Sequence, residues 1–132
     1  MRNSALVVGV LTSLLVSAAC SQPNCCVEVA PPQEMRARVT AISEDSLRVQ
    51  GAKVSMSLIG STLGQSGLTD SNGEWVTLML SYENKGWIPV RFLVEPPAGS
   101  ALRSGEVADS VYFYSVINFD PPEQQYRMVL RR

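Results

Sequence analysis

The chain has 132 residues, 11 of them basic, 12 acidic and none histidine, a length that accommodates a single core of ordinary domain size. A net charge of −1 excludes a grip on nucleic acid through phosphates, which needs a basic patch, and an apolar fraction of 45% excludes general disorder. The missing histidine closes every mechanism built on a Ser-His, Cys-His or His-metal pair.

The first segment is an export signal in its order of parts. Arg2 supplies a positive start, and Ala5 to Val16 form an apolar run of about a dozen residues, the length of a signal-peptide core and short of the roughly 20 that a membrane-spanning helix needs. An uncleaved anchor or a core helix fits that order less well. Val16-Ser17-Ala18-Ala19-Cys20 then follows, and resembles a bacterial lipobox, in which small residues precede a cysteine that is lipidated and becomes the new N-terminus. Ser17 departs from the leucine usual at its position, and Ser17-Ala18-Ala19 also suits ordinary signal peptidase. The resemblance implies a signal peptide over residues 1–19, an acyl group of the palmitate kind on Cys20, and a membrane as partner through that lipid. It implies a place in the cell envelope, at the outer membrane where two membranes exist, because Ser21 rather than aspartate follows Cys20. A soluble secreted or periplasmic protein is the alternative.

Residues 20–34 carry Pro23, Pro31 and Pro32 without periodicity and read as an extended tether. Cys20, Cys25 and Cys26 fall within seven residues, too close together to staple a domain. A metal held by Cys25, Cys26 and Glu28 would lack the separated ligands that such sites draw on, so no cofactor is expected.

Residues 35–132 alternate with period two. Val54, Met56 and Leu58 take turns with Lys53, Ser55 and Ser57, a strand with one wet face. Arg36 to Ile42, Trp75 to Tyr82, Trp87 to Glu95, Ser110 to Phe119 and Gln125 to Arg131 are likewise short and rich in β-branched or aromatic residues, with turn-forming residues between them. About seven such strands, no helix and no internal repeat predict an all-β antiparallel sandwich.

Val49-Gln50-Gly51-Ala52-Lys53-Val54, followed by Gly67-Leu68-Thr69-Asp70-Ser71-Asn72-Gly73-Glu74-Trp75, resembles the "Gly-Ala-x-Val" strand and "Thr-Asp-x-Asn-Gly-x-aromatic" turn of carboxypeptidase regulatory-like and transthyretin-like Ig-type domains. The resemblance spans most of residues 35–132, implies the sandwich, and says almost nothing of function. Independently of it, Asp70 and Asn72 can cap backbone amides and Gly73 accepts a positive φ, so these three residues read as a structural turn. A calcium loop through Asp70, Asn72 and Glu74 lacks the terminal bidentate glutamate. The hydroxyisourate hydrolases of the transthyretin-like family rely on histidines and a Tyr-Arg-Gly-Ser ending; here Tyr126-Arg127 is followed by Met128-Val129, and that activity does not carry over.

What remains is surface. Both faces of Val111-Tyr112-Phe113-Tyr114-Ser115-Val116-Ile117 are apolar or aromatic, and if Val76, Leu78 and Leu80 point inward, Trp75 points out. Trp75, Tyr112 and Tyr114 are therefore the candidate binding surface, with an envelope protein or a glycan as partner; buried rings under a reversed register are the other reading. The chain is thus expected to be no enzyme but a non-catalytic lipoprotein presenting a structural or protein-binding module, with a carbohydrate-binding accessory domain as the alternative. A carboxylate hydrolase would require two acidic groups converging in a pocket.

Overall fold

The computed structural model describes residues 30–117 and 119–132. The signal peptide over 1–19, Cys20 as a lipid site, and Cys25 and Cys26 lie outside those residues. The described part is all-β: β1 (Gln33–Ser43), β2 (Lys53–Leu58), β3 (Gly64–Leu68), β4 (Glu74–Ser81), β5 (Gly86–Glu95), β6 (Gly105–Ser115) and β7 (Glu123–Leu130). β1 thus starts two residues before the expected boundary at Met35.

The strands pair in the order β3-β2-β5-β6-β1-β4, with β7 also on β1, in one seven-stranded sheet where two separate sheets were expected. The long first strand joins what would have been the halves of a sandwich. Its first residues pair with the end of β6, Gln33 with Ser115 and Glu34 with Tyr114. From Arg36 to Ser43 the parallel strand β7 pairs with β1, while β4 pairs antiparallel with it from Gln33 to Thr40. The sheet curls almost to closure, because the Gln65 amide of edge strand β3 reaches the carbonyl oxygen of Leu78 on edge strand β4 at 3.1 Å and its oxygen accepts from the Thr77 hydroxyl.

The core contains the inward positions the alternation predicts for β2: Val54, Met56 and Leu58 lie opposite Val94, Phe92 and Val90 of β5, all fully buried. Met35, Ala37, Val39 and Ala41 of β1 close it from the other side, together with Met128 and Leu130 of β7. Burying a side chain of the size of Phe92 stabilises by about 1.5–3 kcal/mol.

On β4 the register is the reverse of the expected one. Trp75, Thr77, Met79 and Ser81 are buried, whereas Val76, Leu78 and Leu80 face solvent. Trp75, only 9% exposed, lies over β3, where a Cβ on Gly67 would come within 2.3 Å of its indole nitrogen. The ring fills the seam between the two edges, and glycine is what lets it approach. Trp75 is therefore withdrawn from the expected binding surface.

Asp70, Asn72 and Gly73 form the turn into β4. The Asp70 carboxylate accepts the backbone N–H groups of Asn72 and Glu74 at 2.9 and 3.0 Å. Gly73 has a φ of 71°; its N–H donates to the carbonyl of Asp70 at 3.0 Å and its carbonyl accepts the Ala41 N–H at 2.8 Å. Thr69, buried, donates its hydroxyl to the carbonyl of Val49 at 2.6 Å and accepts the Ala52 N–H at 2.9 Å, which ties this turn to the Gly51-Ala52 segment.

Candidate functional site

Two places on the domain have side chains that the fold itself does not consume, and they lie toward opposite ends of the strands. At the first end β1 begins, β4 and β6 finish and β5 starts, as the pairing of Gln33 with Ser81 and Ser115 and of Gly86 with Phe113 requires. Because Val111 and Phe113 point into the core, strand alternation turns Tyr112 and Tyr114 outward. They are half-buried within a row of rings. Trp87 meets Tyr112 edge-on at 5.2 Å, Tyr112 meets Tyr114 at 4.4 Å, and Tyr114 meets Phe119 at 5.5 Å. The backbone under the row is held by Gln124, whose side-chain amide pairs with both N–H and C=O of Tyr112 at 2.7 and 2.9 Å. Trp87, 68% exposed, is a surface residue that the sequence reasoning overlooked in favour of Trp75. A proline two residues on and a glycine just before it were the signal that its strand begins at an end.

The second place is a polar cleft of about 320 Å³ lined by Thr40, Ser46, Arg48, Glu74, Gln125 and Arg127, among others. Pairing sets its walls: Thr40 lies opposite Glu74 on β4 and beside Arg127 on β7. Glu74 is already held by the guanidinium of Arg38, which also binds Glu123; these two carboxylates hold Arg38 in its charged form, its pKa raised by the hydrogen bond it donates to Glu123 first and to Glu74 next. Two acidic groups, Glu74 and Glu123, thus converge as a carboxylate hydrolase would require, but on a guanidinium, and Asp70 and Glu74, two of the three calcium candidates, are engaged within the fold. Arg36 likewise binds Glu34 and, at 2.8 Å, Asp120. Among the described residues, Arg48 and Arg127 have no carboxylate partner. Their fork-shaped donors suit a ligand with paired anionic oxygens, and two nearby cations would lower the pKa of an acidic hydroxyl placed between them.

Tyr126 closes the floor of the cleft. It packs on Phe92 at 4.7 Å and donates its hydroxyl to the carbonyl of Ser110 at 2.8 Å. Burial, with the charge of Asp109 adding to it, pushes its hydroxyl up to about 12.

No known protein family matches the chain by sequence, and no protein of curated function matches it. Solved structures do resemble it in fold. A 3-chlorocatechol 1,2-dioxygenase from Rhodococcus opacus 1CP superposes over 76% of the chain and 60% of its own, at a TM-score of 0.52 and 11% identity. A catechol 1,2-dioxygenase from Acinetobacter sp. ADP1, inhibited by bound mercury, covers 85% of the chain and 54% of its own, at 0.50 and 12%. A chlorocatechol 1,2-dioxygenase from Pseudomonas putida covers 99% and 82%, at 0.51 and 14%. The chain thus spans about 60% of the length of the first of these and about 54% of the second.

This likeness corrects the expectation that the chain is no enzyme and acts as a non-catalytic structural or protein-binding module, or as an accessory carbohydrate-binding domain. The fold is one that dioxygenases use, so an all-β chain of this shape is not thereby placed outside enzymes. The residues do not fit an oxygen-activating metal, however: the chain has no histidine, and among the described residues no three His, Cys, Asp or Glu side chains are grouped to hold a metal ion.

Proposed function

We propose that the domain binds a small molecule bearing paired anionic oxygens in the Arg48–Arg127 cleft, on a fold of the catechol-dioxygenase type, and that Cys20 anchors it by a lipid in the bacterial cell envelope. The observation that carries the first part is the pair of guanidinia, without a carboxylate partner among the described residues, in a cleft whose one carboxylate, Glu74, is already neutralised by Arg38. Two sources share that ligand chemistry: a catechol held as its anion, which the names of the similar dioxygenases suggest, and a carboxylate.

The finer family relationship, to carboxypeptidase regulatory-like or transthyretin-like domains, belongs to the same proposal. Its support is the bonding of Thr69 to Val49 and Ala52, which joins the two sequence segments that carry the resemblance.

The test is titration calorimetry of the full chain in detergent with catechol, 3-chlorocatechol and benzoate, alongside Arg48→Ala and Arg127→Ala. A charge-assisted hydrogen bond is worth about 1.5–3 kcal/mol, so each variant should weaken binding about tenfold or more, and added salt should weaken it further. Preference for the catechols identifies one source and preference for benzoate the other. No binding of any of the three, or binding indifferent to both arginines, overturns the assignment. The anchor is tested separately by the intact mass of the chain from a lipoprotein-competent bacterium, which should begin at Cys20 and carry acyl groups; an unmodified chain refutes it.

A further inference from the structure

We infer that the aromatic end of the domain seats on the headgroup layer of a lipid bilayer, so that Trp87 and its neighbours form a second, non-covalent attachment beside the tether; this rests on the reading of Cys20 as a lipid anchor. Exposed apolar side chains are not spread evenly over the molecule. Among the described residues, seven of the thirteen large ones lie at this end: Ile59 and Leu63 in the β2–β3 connection, Leu80 and Tyr82 where β4 finishes, Trp87 at the start of β5, and Ile117 and Phe119 after β6. Concentration of that kind marks a surface that meets an apolar or amphipathic partner.

The occupant follows from where the chain enters and from the kind of side chain. β1 starts at this end, with Gln33 opposite both Ser81 and Ser115, so whatever precedes Gln33 in sequence joins the domain here. The stretch from Cys20 to Gln33 reaches at most about 45 Å when fully extended, and a lipid on Cys20 would hold this end within that distance of the membrane. Tryptophan and tyrosine are the residues favoured at the boundary between headgroups and hydrocarbon, where a ring with one polar group is satisfied on both sides. The rings are also tilted against one another, by 82° at Trp87–Tyr112 and 52° at Tyr112–Tyr114, a set of edges suited to a fluid layer and unlike a flat platform for stacking a sugar ring. The far end, with the Arg132–Asp45 pair at 3.1 Å and the Arg48–Arg127 cleft, stays in water.

The experiment uses the two tryptophans of the chain, one at the proposed contact and one in the core. The full chain is reconstituted into vesicles of phosphatidylethanolamine and phosphatidylglycerol carrying spin-labelled lipids, and emission is read in Trp75→Phe, where only Trp87 reports, and in Trp87→Phe, where only Trp75 does. Trp87 should be quenched about twofold or more by labels near the headgroups and its emission should move to the blue, while Trp75 should be unaffected. If Trp75→Phe does not fold, the difference between wild type and Trp87→Phe supplies the same reading.

Acyl mass with an unquenched Trp87 overturns this inference and leaves the anchor standing. Quenching without acyl mass removes the anchor and upholds the contact, and neither signal removes both. A blue shift without quenching, accompanied by a dimer that Trp87→Phe dissolves, assigns the surface to a second copy and overturns the lipid contact.

Discussion

The two ends of this barrel are built from the same strands and differ in what their connections do. At the cleft end the turns are consumed by the fold: Asp70 satisfies two amides, Thr69 bonds two segments, and a Cβ on Gly73 would lie 2.7 Å from the Ala41 carbonyl oxygen. At the aromatic end, Tyr82, Trp87, Ile117 and Phe119 are mostly in solvent and bury little. A side chain that contributes little to folding and is costly to expose is explained by what it meets, whereas a side chain wired into the backbone is explained by the backbone. The comparison therefore separates residues kept for architecture from residues free to serve a partner.

Substitutions can break that contrast. Gly73→Ala should have the largest effect, because it combines a positive φ with a clash against backbone that cannot move; a loss of about 2–4 kcal/mol is expected in urea unfolding. A loss under about 0.5 kcal/mol would mean that the turn is as dispensable as the opposite end.

Tyr126, which braces β7 against β6 midway between the ends, should show an intermediate and pH-dependent effect. Its hydroxyl is raised above the unfolded value, so the native state favours the neutral form; that stability is fully present below pH 10 and is lost as pH rises from about 10 to about 12. Allowing for its partial exposure, the loss is about 1–2 kcal/mol. Tyr126→Phe should cost about 1 kcal/mol at neutral pH, through the bond to Ser110, and should flatten that alkaline decline. Urea midpoints measured across the range check both signs.

The smallest effect should be that of Trp87→Ser on stability in the absence of vesicles, within about ±0.5 kcal/mol. A drop of about 2 kcal/mol or more, measured in the same urea experiment, would make the ring row part of the core and erase the distinction.

Strand β2 was legible in sequence because it buries one face against a single core, so polarity and direction agree residue by residue. β4 misled for a physical reason: its inward positions include Thr77 and Ser81, and its outward ones Val76, Leu78 and Leu80, so hydrophobicity points the wrong way. Thr77 is tolerated inside because Gln65 accepts its hydroxyl, a partner from another strand that no local pattern announces. β3 itself, Gly64-Gln65-Ser66-Gly67-Leu68, has no strand signature; its glycines are there for close approach, to the Met56 carbonyl oxygen and to Trp75. The cleft was illegible altogether, since Thr40, Arg48, Glu74 and Arg127 come from distant segments assembled by the parallel pairing of β1 with β7. The Asp70–Gly73 turn needed only four neighbouring residues, and its chemistry could be read directly.

That parallel pairing also sets when the domain can exist. β1 and β7 are the first and last of the described strands, and eight residues of β1, Arg36 to Ser43, pair with β7, while Met128 and Leu130 complete the core around it. Loops that close across a whole domain form late and slowly. A ribosome or a translocation channel that still holds β7 therefore holds an unfolded chain, and the domain passes from threadable to compact in one step, on release of that strand.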